Sequence, residues 1–120
     1  MCSMATDDFK LLQKVQDMMI YGYPLLNQFP KAVKFTLGQD IRNSMNEMLR
    51  LTIAEEKKKS KLATLEHLDV ENEQLKHLLR IAMELKHLSR HHYGVWETKL
   101  VEIGKMIGGL LKSVKGKPQA

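Results

Sequence analysis

The sequence predicts an all-α protein, an antiparallel up-down four-helix bundle. Met, Leu, Lys and Glu dominate, aromatics make up only 6%, and proline is confined to Pro24, Pro30 and Pro118. Helices favour that mixture, whereas strands draw on β-branched and aromatic side chains. Apolar residues also recur at three- and four-residue intervals in four separate segments, the period of one helical face. The breaks between segments are short, which makes consecutive helices antiparallel neighbours. The 120 residues suffice for one domain and one core. The expected organisation is a flexible N-terminus over residues 1–6, the bundle over 7–115 and a flexible tail over 116–120.

The first predicted helix covers residues 7–27. Phe9, Leu12, Val15, Met19, Gly22 and Leu26 share its inner face, and Asp7 and Asp8 suit its positive N-terminal end. Pro24 lacks an amide hydrogen and should kink the helix or restart its last turn. Phe29-Pro30 ends it, because the residue before proline is pushed out of the α region. Thr36-Leu37-Gly38-Gln39 has the form of a capping box, making Thr36 the expected N-cap of the second helix. That helix turns Leu37, Ile41, Met45, Met48, Leu49, Thr52 and Ile53 inward and dissolves near residues 57–59. The third runs over residues 60–89, with Leu62, Leu65, Leu68, Asn72, Leu75, Leu78 or Leu79, Ala82 and Leu85 as its core line. Tyr93-Gly94 makes the last turn, and the fourth helix covers residues 95–115.

The fourth helix carries two apolar lines. Trp96, Leu100, Ile103, Ile107, Leu110 and Val114 form a heptad seam facing a core. Val101, Gly104, Gly108 and Leu111 form a second line, about 100° away round the helix. Glycine costs about 1 kcal/mol relative to alanine inside a helix, so Gly104, Gly108 and Gly109 point to close approach of another backbone. A homo-oligomer with Val101, Gly104, Gly108 and Leu111 at its interface is the expectation. The plainer alternative is that these glycines admit a bulky side chain such as Trp96 or Tyr23 from the same subunit.

Several function classes lack their signatures. The single cysteine, Cys2, excludes a disulfide framework or CxxC site, and a reducing cytoplasm fits. The longest apolar run, residues 18–26, is broken by Gly22 and Pro24 and falls short of the roughly 18 residues of a membrane span. Acidic residues precede it, unlike a signal peptide. There is no GxSxG, Walker loop or GxGxxG, and no recognisable acid–base carboxylate pair, so neither enzymatic activity nor a cofactor is expected. His87-x-x-x-His91 has the spacing of two metal ligands on one helical face, but no carboxylate or cysteine completes a site, so no metal is expected. Arg80 and His87, with six residues between them, also fit the permissive Arg…His pattern of HEPN-type ribonucleases, an open alternative.

The charge is informative. The net charge is +5 and the isoelectric point is near 9.4, which suits a polyanionic partner. Lys57, Lys58, Lys59 and Lys61 cluster at a helix junction. Lys76, Arg80, Glu84, His87 and His91 fall on one line of the third predicted helix. Exposed, regularly spaced cations without base-reading geometry match a phosphate backbone. The expected nucleic-acid-binding set is Arg42, Arg50, Lys57, Lys58, Lys59, Lys61, Lys76, Arg80, Lys86, Arg90, Lys105 and Lys112. The competing reading is a solvated face with Arg80 paired to Glu84.

Three stretches carry a family resemblance: FPKAVKFTLGQDIR (residues 29–42), LDVENEQLKHLLRIAMEL (68–85) and EIGKMIGGLLKS (102–113). Together they resemble the accessory variability determinant (Avd) proteins of diversity-generating retroelements. These share a four-helix-bundle family with the proteins encoded in intervening sequences of 23S ribosomal RNA genes. The likeness spans residues 21–115, with one departure: Leu110 stands where many relatives carry tryptophan. It implies a homopentameric barrel with a basic surface and no catalytic activity of its own. It also implies partnership with a reverse transcriptase and its template RNA during copying into cDNA. The intervening-sequence type, with the same fold, is the nearest alternative, and an adjacent reverse transcriptase gene would separate the two.

Overall fold

A computed structural model describes residues 3–57 and 62–116. It comprises α1 (Ser3–Leu26), the single turn α2 (Lys31–Lys34), α3 (Leu37–Lys57), α4 (Leu62–Glu84) and α5 (Arg90–Lys115), with no strand among the described residues. α1 packs on α3 and α5, and α4 packs on the same two helices. The four long helices therefore close a square in which neighbours in sequence are neighbours in space. The result is a rod of 52 × 23 × 20 Å, the four-helix bundle that the periodicity predicts.

The seam of α5 is as expected: Trp96, Leu100, Ile103, Ile107 and Leu110 are buried, and Val114 is half-buried. α4 buries Leu65, Leu68, Asn72, Leu75, Leu79 and Ala82, while Leu62 is half-buried and Leu85 exposed. On α3, Ile41, Met45, Met48 and Thr52 point inward, joined by Ser44, Leu51 and Glu55; Leu37 and Leu49 are half-buried and Ile53 is exposed. α1 differs most. Leu11, Val15, Met18, Met19, Leu25 and Leu26 fill the core, Leu12 is half-buried, and Phe9 is 57% exposed. Gly22 sets this rotation by receiving Trp96, and Phe9 lies about 140° away from Gly22 round the helix. α1 also begins at Ser3, ahead of the expected start at residue 7, and continues through Pro24 to Leu26.

α3 starts at Leu37, directly after Thr36, as expected, with Asp40 N donating to Thr36 O at 3.0 Å. The side-chain capping box does not form, because residues 31–34 make a helical turn of their own. The Thr36 hydroxyl donates back to the carbonyls of Ala32 and Val33, both at 3.3 Å, and Gln39 donates to Asn43 at 2.9 Å instead of closing the box. One predicted boundary is corrected: the α4–α5 break falls at residues 85–89 and not at Tyr93-Gly94. Lys86 N donates to Met83 O and His87 N to Ala82 O, both at 2.9 Å, a paired arrangement that ends a helix through one left-handed residue. That residue is Lys86, with φ of 68°. Ser89 then caps α5, its Oγ accepting from His92 N at 3.0 Å, so Tyr93 and Gly94 lie inside the helix.

Left-handed backbone costs a side-chain-bearing residue roughly 1–2 kcal/mol, part of which glycine forfeits through its freer unfolded chain. Lys86→Gly is therefore expected to stabilise the protein by up to about 1 kcal/mol, read as a higher urea midpoint. Among the described residues, no helix is long and apolar enough to cross a membrane.

Candidate nucleic-acid interface

Four cations along the middle of the rod, Lys14, Arg50, Lys76 and Lys99, are engaged. Lys14 Nζ lies 2.5 Å from Glu102 Oε1, joining α1 to α5. Arg50 grips Glu47 with two hydrogen bonds, at 2.9 and 2.6 Å, and Lys76 pairs with Glu73 at 2.6 Å. Lys99 Nζ sits over the Tyr21 ring, 5.4 Å from its centroid. Arg50 and Lys76, both expected to bind phosphate, are thus occupied on their own helices, where an acidic residue lies three positions away.

These contacts hold the carboxyls of Glu47, Glu73 and Glu102 below the usual carboxylate range, in each case chiefly through the hydrogen bond from the paired cation. The same hydrogen bonds raise Arg50 and Lys14. A depressed folded-state pKa means a contribution fully present above the unfolded carboxylate value, about 4.3 for glutamate. It is lost as pH falls through the lower folded value. The urea midpoint should accordingly drop between about pH 5 and pH 3, and less in high salt, where exposed pairs are screened.

One end of the rod is different. Antiparallel packing gathers the end of α1, the turn α2, the start of α3 and the α4–α5 turn there. The Phe29 and His87 rings meet at that end, with centroids 5.9 Å apart. Lys31 and Lys34 come from α2, Arg42 from α3, Lys86 from the α4–α5 turn and Arg90 from the start of α5, with Asp40 and Glu84 as the nearby acidic positions. Arg42 Nη1 donates to Lys34 O at 3.4 Å and ties α2 to α3. Among the described residues, Lys31, Lys34, Lys86 and Arg90 have no carboxylate within ion-pair distance. Lys31 and Lys34 are absent from the expected binding set. Their signal was present, two cations three apart just past a proline, but only the tertiary fold sets them beside the α4–α5 turn.

The expected cationic line on one helix is broken by that turn. Arg80 stays on α4, His87 lies in the turn, and Arg90 and His91 open α5. His91 and His92 rings sit 5.5 Å apart, and His92 Nδ1 is 3.0 Å from Ser89 Oγ. The two-histidine spacing therefore does not describe one helical face. No group of three or more side chains able to hold a metal ion lies together among the described residues. Arg80 and Glu84 are not within ion-pair distance. Arg80 lines a hollow with His77, Ile81, Glu84 and Leu85, whereas His87 lines a different one with Lys86, Ser89 and Arg90. The ribonuclease-like pair is thus not brought together in one hollow.

At the opposite end, Lys57 is exposed at the close of α3, and Lys112 and Lys115 occupy the last turn of α5, complementing its dipole. Lys58, Lys59 and Lys61 lie outside the described residues. Lys105 is exposed on the outer side of α5 with Val101, Gly108 and Lys112; Gly104 and Leu111 are half-buried. A Cβ on Gly104 would stand 3.1 Å from Asn72 Nδ2, which itself donates to Leu100 O at 3.1 Å. Gly104 is therefore explained within the subunit, by Asn72 and not by Trp96 or Tyr23. A Cβ on Gly108 or Gly109 would meet nothing within 4 Å.

With this geometry in place, comparison with known proteins yields one family. The sequence model of the bAvd-like family matches residues 9–114, nearly the whole bundle. No curated protein matches the chain.

Proposed function

The chain belongs to the bAvd-like family, and we propose that it is a non-enzymatic accessory subunit of a diversity-generating retroelement. In this reading it holds template RNA or cDNA by its phosphates beside the reverse transcriptase. The observation that carries this is the contrast in charge along the rod. Mid-rod Lys14, Arg50 and Lys76 are paired with carboxylates, while Lys31, Lys34, Lys86 and Arg90, gathered at one end, are left for an outside anion. Such contacts position a strand without reading its sequence, so binding should tolerate sequence and weaken steeply with salt. Co-expression with the cognate reverse transcriptase and template RNA tests the proposal. All three should co-purify, and a protein recovered free of both partners would overturn it.

The active form in this proposal is a homo-oligomer, a pentamer by family likeness, with the outer side of α5 at the contact. A ring repeats each cationic end and sums the field. Gly108 offers the clean test, because it is exposed and a Cβ there meets nothing within 4 Å in its own subunit. Replacing glycine inside a helix should on its own gain about 1 kcal/mol. Gly108→Leu is therefore expected to keep its helix content while light scattering shows its mass falling toward the 13.9 kDa subunit. A wild-type mass already at that value, or a variant that keeps the wild-type assembly, would remove this contact from the proposal.

A further inference from the structure

Phe35 is the most exposed large apolar side chain among the described residues, at 72%. A single exposed phenylalanine ordinarily calls for no explanation, but this one stands in a rigid and cationic setting. Pro30 O accepts from both Val33 N and Lys34 N at 2.9 Å. Val33 O takes the backbone N–H groups of Phe35 and Thr36. Arg42 ties down Lys34 O, and the Thr36 hydroxyl bonds back to Ala32 and Val33. A Cβ on Gly38 would stand 3.2 Å from Val33 O, so this turn lies directly on α3. The ring is thus presented to solvent by a backbone fixed on several sides. Lys31 precedes it by four residues, which places both on one side of the turn, and Lys34 and Arg42 flank it; Asp40 is the acidic residue of the first turn of α3.

We infer that Phe35 stacks on an unpaired base, so that this end of the bundle selects single-stranded over duplex nucleic acid, in RNA or DNA alike. The inference rests on the proposed nucleic-acid role and adds a ligand class to it. The surrounding cations draw in the phosphates, and the ring supplies what they lack, a flat apolar face. Only an unpaired base offers its own face in return, since a duplex buries those faces in its stack. Because the turn is already ordered, little conformational freedom is lost on contact.

The test uses the full chain and labelled probes of one length: single-stranded RNA, single-stranded DNA, duplex DNA, and a DNA strand of abasic sugars. Phe35→Ala should weaken both single strands about tenfold while changing duplex and abasic binding by less than about twofold. Phe35→Trp should keep the affinity, and its exposed indole should be quenched by single strands and not by duplex. Trp96, fully buried, supplies a constant background. Equal losses on single strand and duplex, or a reduced assembly mass in Phe35→Ala, would overturn the inference, the latter making the ring a contact with a second copy. A wild type that binds none of the probes would instead remove the proposed function itself. Wild-type binding left unchanged by Phe35→Ala would remove only the stacking role.

Discussion

Gly22→Ala should destabilise the protein by about 1–3 kcal/mol, although alanine is the better helix residue by about 1 kcal/mol. The reversal of sign comes from Trp96. A Cβ at residue 22 would stand 2.3 Å from Trp96 Cζ2, 2.7 Å from Cη2 and 2.8 Å from Cε2. The indole is wholly buried and meets Tyr21 edge-on, with ring centroids 6.3 Å apart. It has no flexible end to swing aside, so the added methyl must push α1 away from α5. Removing the indole instead, as Trp96→Ala, leaves a cavity and should cost about 3–5 kcal/mol. Combining Gly22→Ala with Trp96→Leu should cost less than the sum of the single changes, since the new methyl then occupies vacated space. Urea unfolding followed by circular dichroism measures all of these. A Gly22→Ala midpoint at or above wild type would contradict the packing described for α1 and α5.

That same contact shows why some of the fold was legible in the sequence and some was not. The α5 seam follows from local periodicity alone, and its buried residues are those the heptad predicts. The rotation of α1 depends on which residue leaves room for Trp96, a tertiary fact. Periodicity counted Phe9 and Leu12 as core when Leu11 and Met18 hold those places. The α4–α5 break departs from the sequence pattern for a related reason. Gly94 is the residue that most resembles a helix stop, but the chain stops at Lys86, a lysine in a conformation that favours glycine, and Ser89 restarts it.

The candidate site inherits both lessons. Arg50 and Lys76 read as free cations until their i, i+3 partners are seen to hold them. Lys31 and Lys34 come near Lys86 and Arg90 only once the ends of α1 and α4 and the starts of α3 and α5 meet at one end of the bundle. The family resemblance fared better, because short ordered motifs survive misplaced helix ends, and the match over residues 9–114 bears it out.

The largest functional effect is expected from neutralising the cationic end. In the variant Lys31→Gln/Lys34→Gln/Lys86→Gln/Arg90→Gln, nucleic-acid affinity at physiological salt should fall about 100-fold or more. Each cation bound to a phosphate releases counterions, contributing roughly 0.7–0.9 to the slope of log affinity against log salt. These four residues have no carboxylate partner among the described residues, so removing them strands no buried charge, and the fold should persist. Lys57→Gln/Lys112→Gln, at the other end of the rod, lowers the overall charge without touching the proposed phosphate-binding end. Its effect should be a modest weakening through the long-range field.

The most direct test is therefore the salt slope itself, measured for wild type and both variants by titrating one single-stranded probe from low to physiological salt, with assembly mass confirmed for each. The four-residue variant should flatten the slope by about three, and the Lys57/Lys112 variant by less than about one. An unchanged slope in the four-residue variant, or a greater loss from Lys57 and Lys112, would contradict the placement of the binding surface at the α2 end of the bundle.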